Sequence, residues 1–386
     1  MGMNSEANWM NLPPGQTTNC LTSHCRNAIA LRLESGTKTM ALQIKELISH
    51  DQQMDEELVL TWINESLDDE RVSLVSQFTV NRLSVFANVV ETWSGPISVT
   101  IYLTEPTDID SLLDYLDDPR HMDLYSRVTV TLVKPNYQET KDRRQYPINH
   151  LRNLAVLAST TPFVFVMDAD FTPSPTLWDS IQALPLTSSA SLPRIAHVVP
   201  CFAVKEENEG LPATMSDLKL WVQQERAYIT DPGAGHGPTL GKEMALTWAN
   251  ILSDRSLPST FEVCYESQWE PYYVVPRHAP LYDVRFKDQG GDKQSHALHL
   301  NAERFQFLVM RHEFIVHKDH PKLVWPGQGF PEAQKDALRW NYFDGFMQEI
   351  ESLYGHLARW PHGCSALATG WQDQRRSLLG MAVGAV

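Results

Sequence analysis

The sequence predicts an α/β fold, with a mainly parallel mixed sheet flanked by helices. Three observations carry this expectation. From Arg71 onward, short runs rich in Val, Ile and Phe alternate with stretches of helical period. Gly-Pro and Pro-rich breakers separate them. One apolar run ends directly in acidic residues, at the carboxyl end of a strand where open α/β sheets bind ligands.

Each element follows from its residues. RVSLVSQFTV (71–80) reads as a buried strand and NRLSVFANVVETW (81–93) as an amphipathic helix. GPISVTIYL is a second strand after a Gly-Pro breaker, SLLDYLDD is helical, and RVTVTLVK is a third strand. Tyr146 to Ala158 has helical period, and TPFVFVMDADFTPSP is a fourth strand ending in acidic residues. Strand and helix in alternation imply parallel pairing with helices on both faces. Beyond Pro175 the pattern loosens into short strands (PRIAHVVPCFAV, EPYYVVP, QFLVM) and a helix from Pro331 to Tyr354. Ahead of Arg71, the stretch Thr37 to Leu58 has helix-like apolar spacing. The chain therefore divides into an N-terminal extension or stem-like segment (1–68), one large domain (69–360) and a C-terminal tail (361–386).

Composition bounds the function. Hydrophobic residues at 42% and charged residues at 20% describe a globular chain. A formal net charge of -15 excludes a general nucleic-acid binder, which needs clustered Lys and Arg. No basic n-region precedes an apolar run, and no membrane anchor is visible, so the chain as written reads as soluble. The five cysteines, Cys20, Cys25, Cys201, Cys264 and Cys364, lack zinc-site spacing. They read as mostly free buried thiols, with a Cys201–Cys264 disulfide left open.

The chemistry centres on Asp168-Ala169-Asp170. Such a triplet arises by chance, and the chain holds its own control in Asp108-Ile109-Asp110, which reads as a loop capping a helix. Asp168 and Asp170 differ because they follow Phe163 to Met167, a fully buried run. Two carboxylates there require a cation or hydrogen bonds to compensate them. Residues two apart in an extended chain face one side, so both can address one Mn²⁺ or Mg²⁺ ion. Turn capping with Pro173 and Pro175 is the alternative. Near the C-terminus, EFIVHKDHPK puts His317 after a short apolar strand, with Lys318 and Lys322 near it and His320 as a rival. An imidazole suits an Mn²⁺-class ion and the lysines suit a diphosphate, although a lone histidine after a strand is more often a packed or solvated residue.

Several segments together resemble glycosyltransferase family 49, the family of LARGE-type and β-1,4-glucuronyltransferase-like catalytic domains. They are VSLVSQFTVNRL, WSGPISVTIYL, YPINHLRNLAVLASTTPFVFVMDADFTPSPTLW, GHGPT, WEPYYVV, YDVRFKDQGGDK and FIVHKDHPK, in the family's order across residues 71 to 325. The resemblance implies a GT-A nucleotide-diphospho-sugar transferase fold. It implies inverting, metal-dependent transfer from a UDP-sugar, glucuronate in characterised members, to a glycan or glycoprotein acceptor. Other UDP-sugar donors (xylose, galactose, N-acetylglucosamine) and an inactive glycan-binding form are the alternatives. It also implies a Golgi location.

By position, Asp168, Asp170 and His317 match the family's metal ligands. Arg152 and Asn153 fall in the LRN segment on the donor side, and Gln77, Thr79 and Arg82 follow the first strand, where the nucleotide lies. Inversion needs one general base, and Glu270 and Asp292 are the candidates. The family has Asn where this chain has Asp292, and an aromatic where it has Gly291, so Asp292 is alternatively a repulsive element against an acidic sugar. His236 and Gly237 in the glycine-rich GHGPT loop border the acceptor site. Trp269 and Tyr272 either stack on a sugar or belong to the core.

Overall fold

A computed structural model describes residues 29–33, 42, 44, 58–64, 70–138, 145–186, 194–205, 210–230, 245–266, 269–288, 290–319, 335 and 338–360. His236, Gly237, His320, Lys322, Cys20, Cys25, Cys364 and the tail after Gly363 lie outside the described residues. The strands are β1 (Ile29–Leu33), β2 (Leu58–Trp62), β3 (Val72–Thr79), β4 (Ile97–Tyr102), β5 (Val128–Lys134), β6 (Phe163–Val166), β7 (Phe171–Pro173), β8 (Ile195–Val199), β9 (Cys201–Val204), β10 (Ala227–Ile229), β11 (Thr260–Val263), β12 (Tyr272–Pro276), β13 (Gln306–Met310) and β14 (Ile315–Lys318). The helices are α1 (Leu83–Thr92), α2 (Asp108–Asp117), α3 (Pro119–Tyr125), α4 (Ile148–Ala158), α5 (Leu177–Gln182), α6 (Met215–Gln223), α7 (Ala245–Ser253), α8 (Asp292–Ala302) and α9 (Met347–Tyr354).

Ten strands form the main sheet in the order β1-β2-β5-β4-β3-β6-β12-β8-β13-β11. Its centre is parallel, β5-β4-β3-β6, and antiparallel pairs enter at β6-β12 and β12-β8. The sheet is mixed α/β, as the alternation predicts. Period-two patterning divides its side chains between two cores. Phe163, Phe165, Tyr272 and Val274 face one side with α1, α2 and α5. Val164, Val166, Tyr273 and Val275 face the other with α4, α6, α7 and α8. Uninterrupted burial along β3, β4 and β6 follows from helices on both faces.

Two strands from the segment ahead of Arg71 join this sheet: β2 pairs antiparallel with β5, and β1 parallel with β2. Leu58-Val59-Leu60 is a short apolar run whose strand character comes from its partner rather than its length. Leu42 and Ile44 are helical, as the spacing predicts, and Ile44 is fully buried in the core. Asp108 opens α2 and its carboxylate accepts from the Glu105 backbone N–H at 3.0 Å, so this control triplet is a helix start. The predicted helix through Tyr354 is described as a π-helical turn, Tyr342–Phe346, leading into α9.

A second sheet, β10-β9-β14-β7, stands beside the first. Asp168-Ala169-Asp170 is the corner between β6 of one sheet and β7 of the other. Antiparallel pairing of β14 with β7 sets His317 opposite Phe171, the residue after Asp170. Among the described residues no helix is long and apolar enough to cross a membrane. Cys201 is a free, buried thiol and Cys264 is disulfide-bonded, so the two are not joined to one another.

Candidate active site

The corner residue Asp168 is the hub of a buried ion cluster. Its Oδ1 accepts from Arg152 Nη2 at 2.9 Å, and its Oδ2 from Lys293 Nζ at 2.8 Å and the Tyr272 hydroxyl at 2.7 Å. Arg152 arrives from α4, where the helical period turns it towards the strand ends, and its side chain is 2% exposed. Its Nη1 donates to Asp292 Oδ2 at 2.6 Å and to Asn149 Oδ1 at 3.0 Å. Burial disfavours charge on Asp168, yet Lys293 and Arg152 outweigh it and hold the carboxyl well below the usual carboxylate range. Burial likewise opposes charge on Lys293, and Asp168 and Glu270 overcome it, raising its pKa.

Asp170 and His317 form the other side of the corner. Arg82 Nη1 donates to Asp170 Oδ2 at 2.5 Å, and His317 Nε2 lies 3.9 Å from the same oxygen. The side chains of His317 and Asp170 are 22% and 16% exposed, and that of Asp168 is 24% exposed, against a nearly sealed Arg152. His317 Nδ1 lies 3.6 Å from Asp319 Oδ1, and its ring packs on Phe171. The structure thus brings Asp170 to His317 and turns Asp168 to the protein's cations. Among the described residues no three His, Cys, Asp or Glu side chains converge as a closed metal site.

The two candidate bases differ in environment. Asp292 opens α8 and is pinned by Arg152. Glu270 precedes β12, with Oε2 3.9 Å from Lys293 Nζ and its side chain 12% exposed. Burial pushes its carboxyl up to about 7; Lys293 pulls against this, and Asp292 and Asp168 add to it. A carboxyl tuned near neutrality suits proton abstraction.

Other predicted site residues take structural duties. Asn153 spends its amide on the Tyr282 backbone, donating to the carbonyl at 2.8 Å and accepting the N–H at 2.9 Å. It therefore fixes the segment under Arg152 rather than facing a ligand. Trp269 is 1% exposed and packs edge-on against Phe307, so it belongs to the core. Tyr272 is buried and enters the site through its hydroxyl, not its ring face. Gln77 accepts from the Tyr146 hydroxyl, and Thr79 donates to Asn81 at 2.5 Å, both at the carboxyl end of β3. Lys318 ends β14 and is exposed. Gly291 has φ +84, and a Cβ there would meet Phe286 Cε1 at 2.7 Å. An aromatic side chain has no room at this position because Phe286 and Tyr342 already fill it.

Lys293 is the residue that motif reading passed over. The signal was present: a lysine in the first turn of a helix opposes the macrodipole and needs carboxylates in return. Tyr282, whose ring lies 5.4 Å from the Arg152 guanidinium, and Asn149 carried no local signature.

A mixed sheet flanked by helices thus carries an acidic corner at the carboxyl end of its parallel strands, with a histidine strand laid beside it. The chain belongs to the family described as "Glycosyl-transferase for dystroglycan", which it matches over residues 71–143 and 122–355. It is 29% identical over 295 residues to the xylosyl- and glucuronyltransferase LARGE2 of Mus musculus, covering 74% of this chain and 40% of that protein. It is 26% identical to LARGE1 of Homo sapiens, covering 75% of this chain and 37% of that protein. The chain therefore spans about two fifths of the length of these relatives. Among solved structures, GalNAc-T7 with UDP, GalNAc and Mn²⁺ aligns with TM-score 0.39 at 11% identity, covering 81% of this chain and 66% of that one.

Proposed function

We propose that this chain moves a sugar from a UDP-sugar to a glycan or glycoprotein acceptor, with inversion, and that it uses Mn²⁺ or Mg²⁺. The observation that carries the reading is the Asp168-Ala169-Asp170 corner, with Asp170 beside His317 and Asp168 held by Arg152 and Lys293. Asp170 Oδ2 and His317 Nε2 lie 3.9 Å apart, and these two side chains would hold the ion. Carboxylate and imidazole are a donor set such an ion accepts. Asp170 and His317 are the proposed direct ligands, with Asp168 contributing from its place against Lys293. When bound, the ion would polarise the diphosphate and disperse charge on the leaving UDP.

The chain's own residues supply the rest. Arg82, beside Asp170, neutralises diphosphate charge, and the family resemblance assigns Lys318 and Lys322 the same role. Gln77 and Thr79 line the nucleotide end of β3. Glu270 takes the proton of the acceptor hydroxyl as that oxygen attacks the anomeric carbon and UDP departs from the opposite face. Asp292, held by Arg152, positions the cluster instead. The family resemblance assigns His236 and Gly237 to the acceptor. Relatives named for xylosyl and glucuronyl transfer support a sugar-nucleotide donor. The domain of 69–360 carries this site, and the disulfide at Cys264 supports a location in the secretory lumen, with the Golgi as the family's compartment.

UDP release from a panel of UDP-sugars, with Mn²⁺ and a glycan acceptor, tests the reading. Turnover in the wild type and its loss in Asp170→Asn, with the fold intact, are expected. An Asp170→Asn variant as active as the wild type removes the metal assignment.

A further inference from the structure

We propose that Glu313 is a positioning residue for Asp170 and His317, locking the register between β7 and β14 that sets these two side chains side by side. The role rests on the metal-dependent transfer proposed above and concerns the same corner. Asp170 stands immediately ahead of β7, and His317 lies within β14. Their separation of 3.9 Å therefore depends on how the two strands are fixed to one another.

The pairing of these strands is short. β7 has three residues, Phe171–Pro173, and Pro173 has no N–H to give to a ladder. On its other edge β14 pairs with β9 over four residues, and the Ile315 N–H donates to the Pro200 carbonyl at 2.9 Å. Those bonds fix β14 but not β7. A slip of one residue between β7 and β14 would turn His317 to the opposite face.

Glu313 closes the far end of the pair. It lies two residues ahead of β14 and is 4% exposed. Three hydroxyls from the segment after β7 donate to its carboxylate. Ser174 reaches Oε2 at 2.5 Å, Ser180 reaches Oε1 at 2.6 Å, and Thr176 meets Oε1 and Oε2 at 2.9 and 3.1 Å. The Ser174 N–H donates to the Phe314 carbonyl at 2.9 Å, and its hydroxyl oxygen accepts the Phe314 N–H at 3.3 Å. Just before Glu313 the chain turns through His312 at φ +71, a left-handed conformation held by its N–H on the Leu252 carbonyl at 3.1 Å.

A group that accepts without donating can take all three hydroxyls as donors at once, and a carboxylate is such a group. Burying one costs free energy that an apolar side chain of the same length would not. What it adds is direction, because its bonds fix where β7 ends against where β14 begins. Glu313 touches neither the proposed ion nor UDP, and acts through the strands that carry Asp170 and His317.

The Mn²⁺ midpoint for UDP binding, from calorimetric titrations across a series of Mn²⁺ concentrations, tests the role without requiring turnover. Glu313→Met keeps the length and removes the acceptors, and is expected to raise that midpoint about tenfold or more, the scale of lost support behind a metal ligand. Glu313→Gln, which keeps one oxygen, should fall between it and the wild type. Val130→Ala opens a cavity in β5, three places from β6 in the main sheet, and should lower the urea midpoint while leaving the Mn²⁺ midpoint unchanged. A folded Glu313→Met with the wild-type Mn²⁺ midpoint overturns the proposal, as does an equal rise in Val130→Ala. Should Glu313→Met fail to fold, Glu313→Gln and Ser180→Ala decide, and wild-type midpoints in both overturn it. A wild type whose UDP binding ignores Mn²⁺ brings down the metal reading itself, and this role with it.

Discussion

Replacing Arg152 with methionine removes the cation that joins Asp168 to Asp292 and leaves a side chain of similar length. Arg152 is 2% exposed and makes charge-assisted bonds of 2.6 and 2.9 Å to the two carboxylates. Breaking a buried ion pair by deleting one partner costs about 3–5 kcal/mol, because the other charge is left uncompensated. Asp168 keeps Lys293 and the Tyr272 hydroxyl, so most of the cost falls on Asp292, and the lower part of that range is expected. Urea unfolding at neutral pH measures it through the midpoint at constant slope. The double variant with Asp292→Asn should lose less than the sum of the single losses, by a coupling of about 1–3 kcal/mol. A pH signature accompanies it. Burial works against ionised Asp168, and Lys293 and Arg152 overcome this to depress its folded-state pKa. A depressed carboxyl stabilises the fold above the unfolded value of about 3.9 and loses that contribution as pH falls through the folded value. The Arg152→Met penalty is therefore full at neutral pH and narrows below about pH 4. A loss under about 1 kcal/mol, or strict additivity with Asp292→Asn, refutes the reasoning.

Glu270→Gln should lower kcat by about 10²–10⁴-fold with UDP binding retained, the scale of lost general-base catalysis. In the wild type, kcat/KM should rise with pH through about 7, because the base works ionised; a flat profile from pH 5.5 to 8.5 contradicts the assignment. Gly291→Ala forces a Cβ onto φ +84 and within 2.7 Å of Phe286 Cε1. A cost of about 1–3 kcal/mol and weaker donor binding are expected, since this glycine aims the N-terminus of α8; an unchanged unfolding midpoint would show that the strain is relieved.

The central architecture was legible because periodicity is local. Alternating runs from Val72 to Val166 announced both the strands and their burial, and the apolar run before Asp168 separated it from the helix-opening Asp108. What escaped was set by partners far along the chain. His317 was named from its own segment, but its pairing opposite Phe171 is a register that no local pattern encodes. Strand β2 exists through its pairing with β5, and Lys293 stays charged only because Asp168 and Glu270 converge on it. Asn153 sits in a motif-rich helix yet faces the Tyr282 backbone, where helical phase rather than motif membership decides its contacts. Trp269 adjoins Glu270 in sequence but points into the core, as alternation along an extended chain requires.

Calorimetric titration of UDP into the protein, with Mn²⁺ and then with the metal chelated, tests the central claim about Asp168-Ala169-Asp170 most directly. The account predicts saturable binding that requires the metal and is lost in both Asp170→Asn and His317→Ala, with their unfolding midpoints near the wild type. Binding of equal strength without metal, or in both variants, would contradict it.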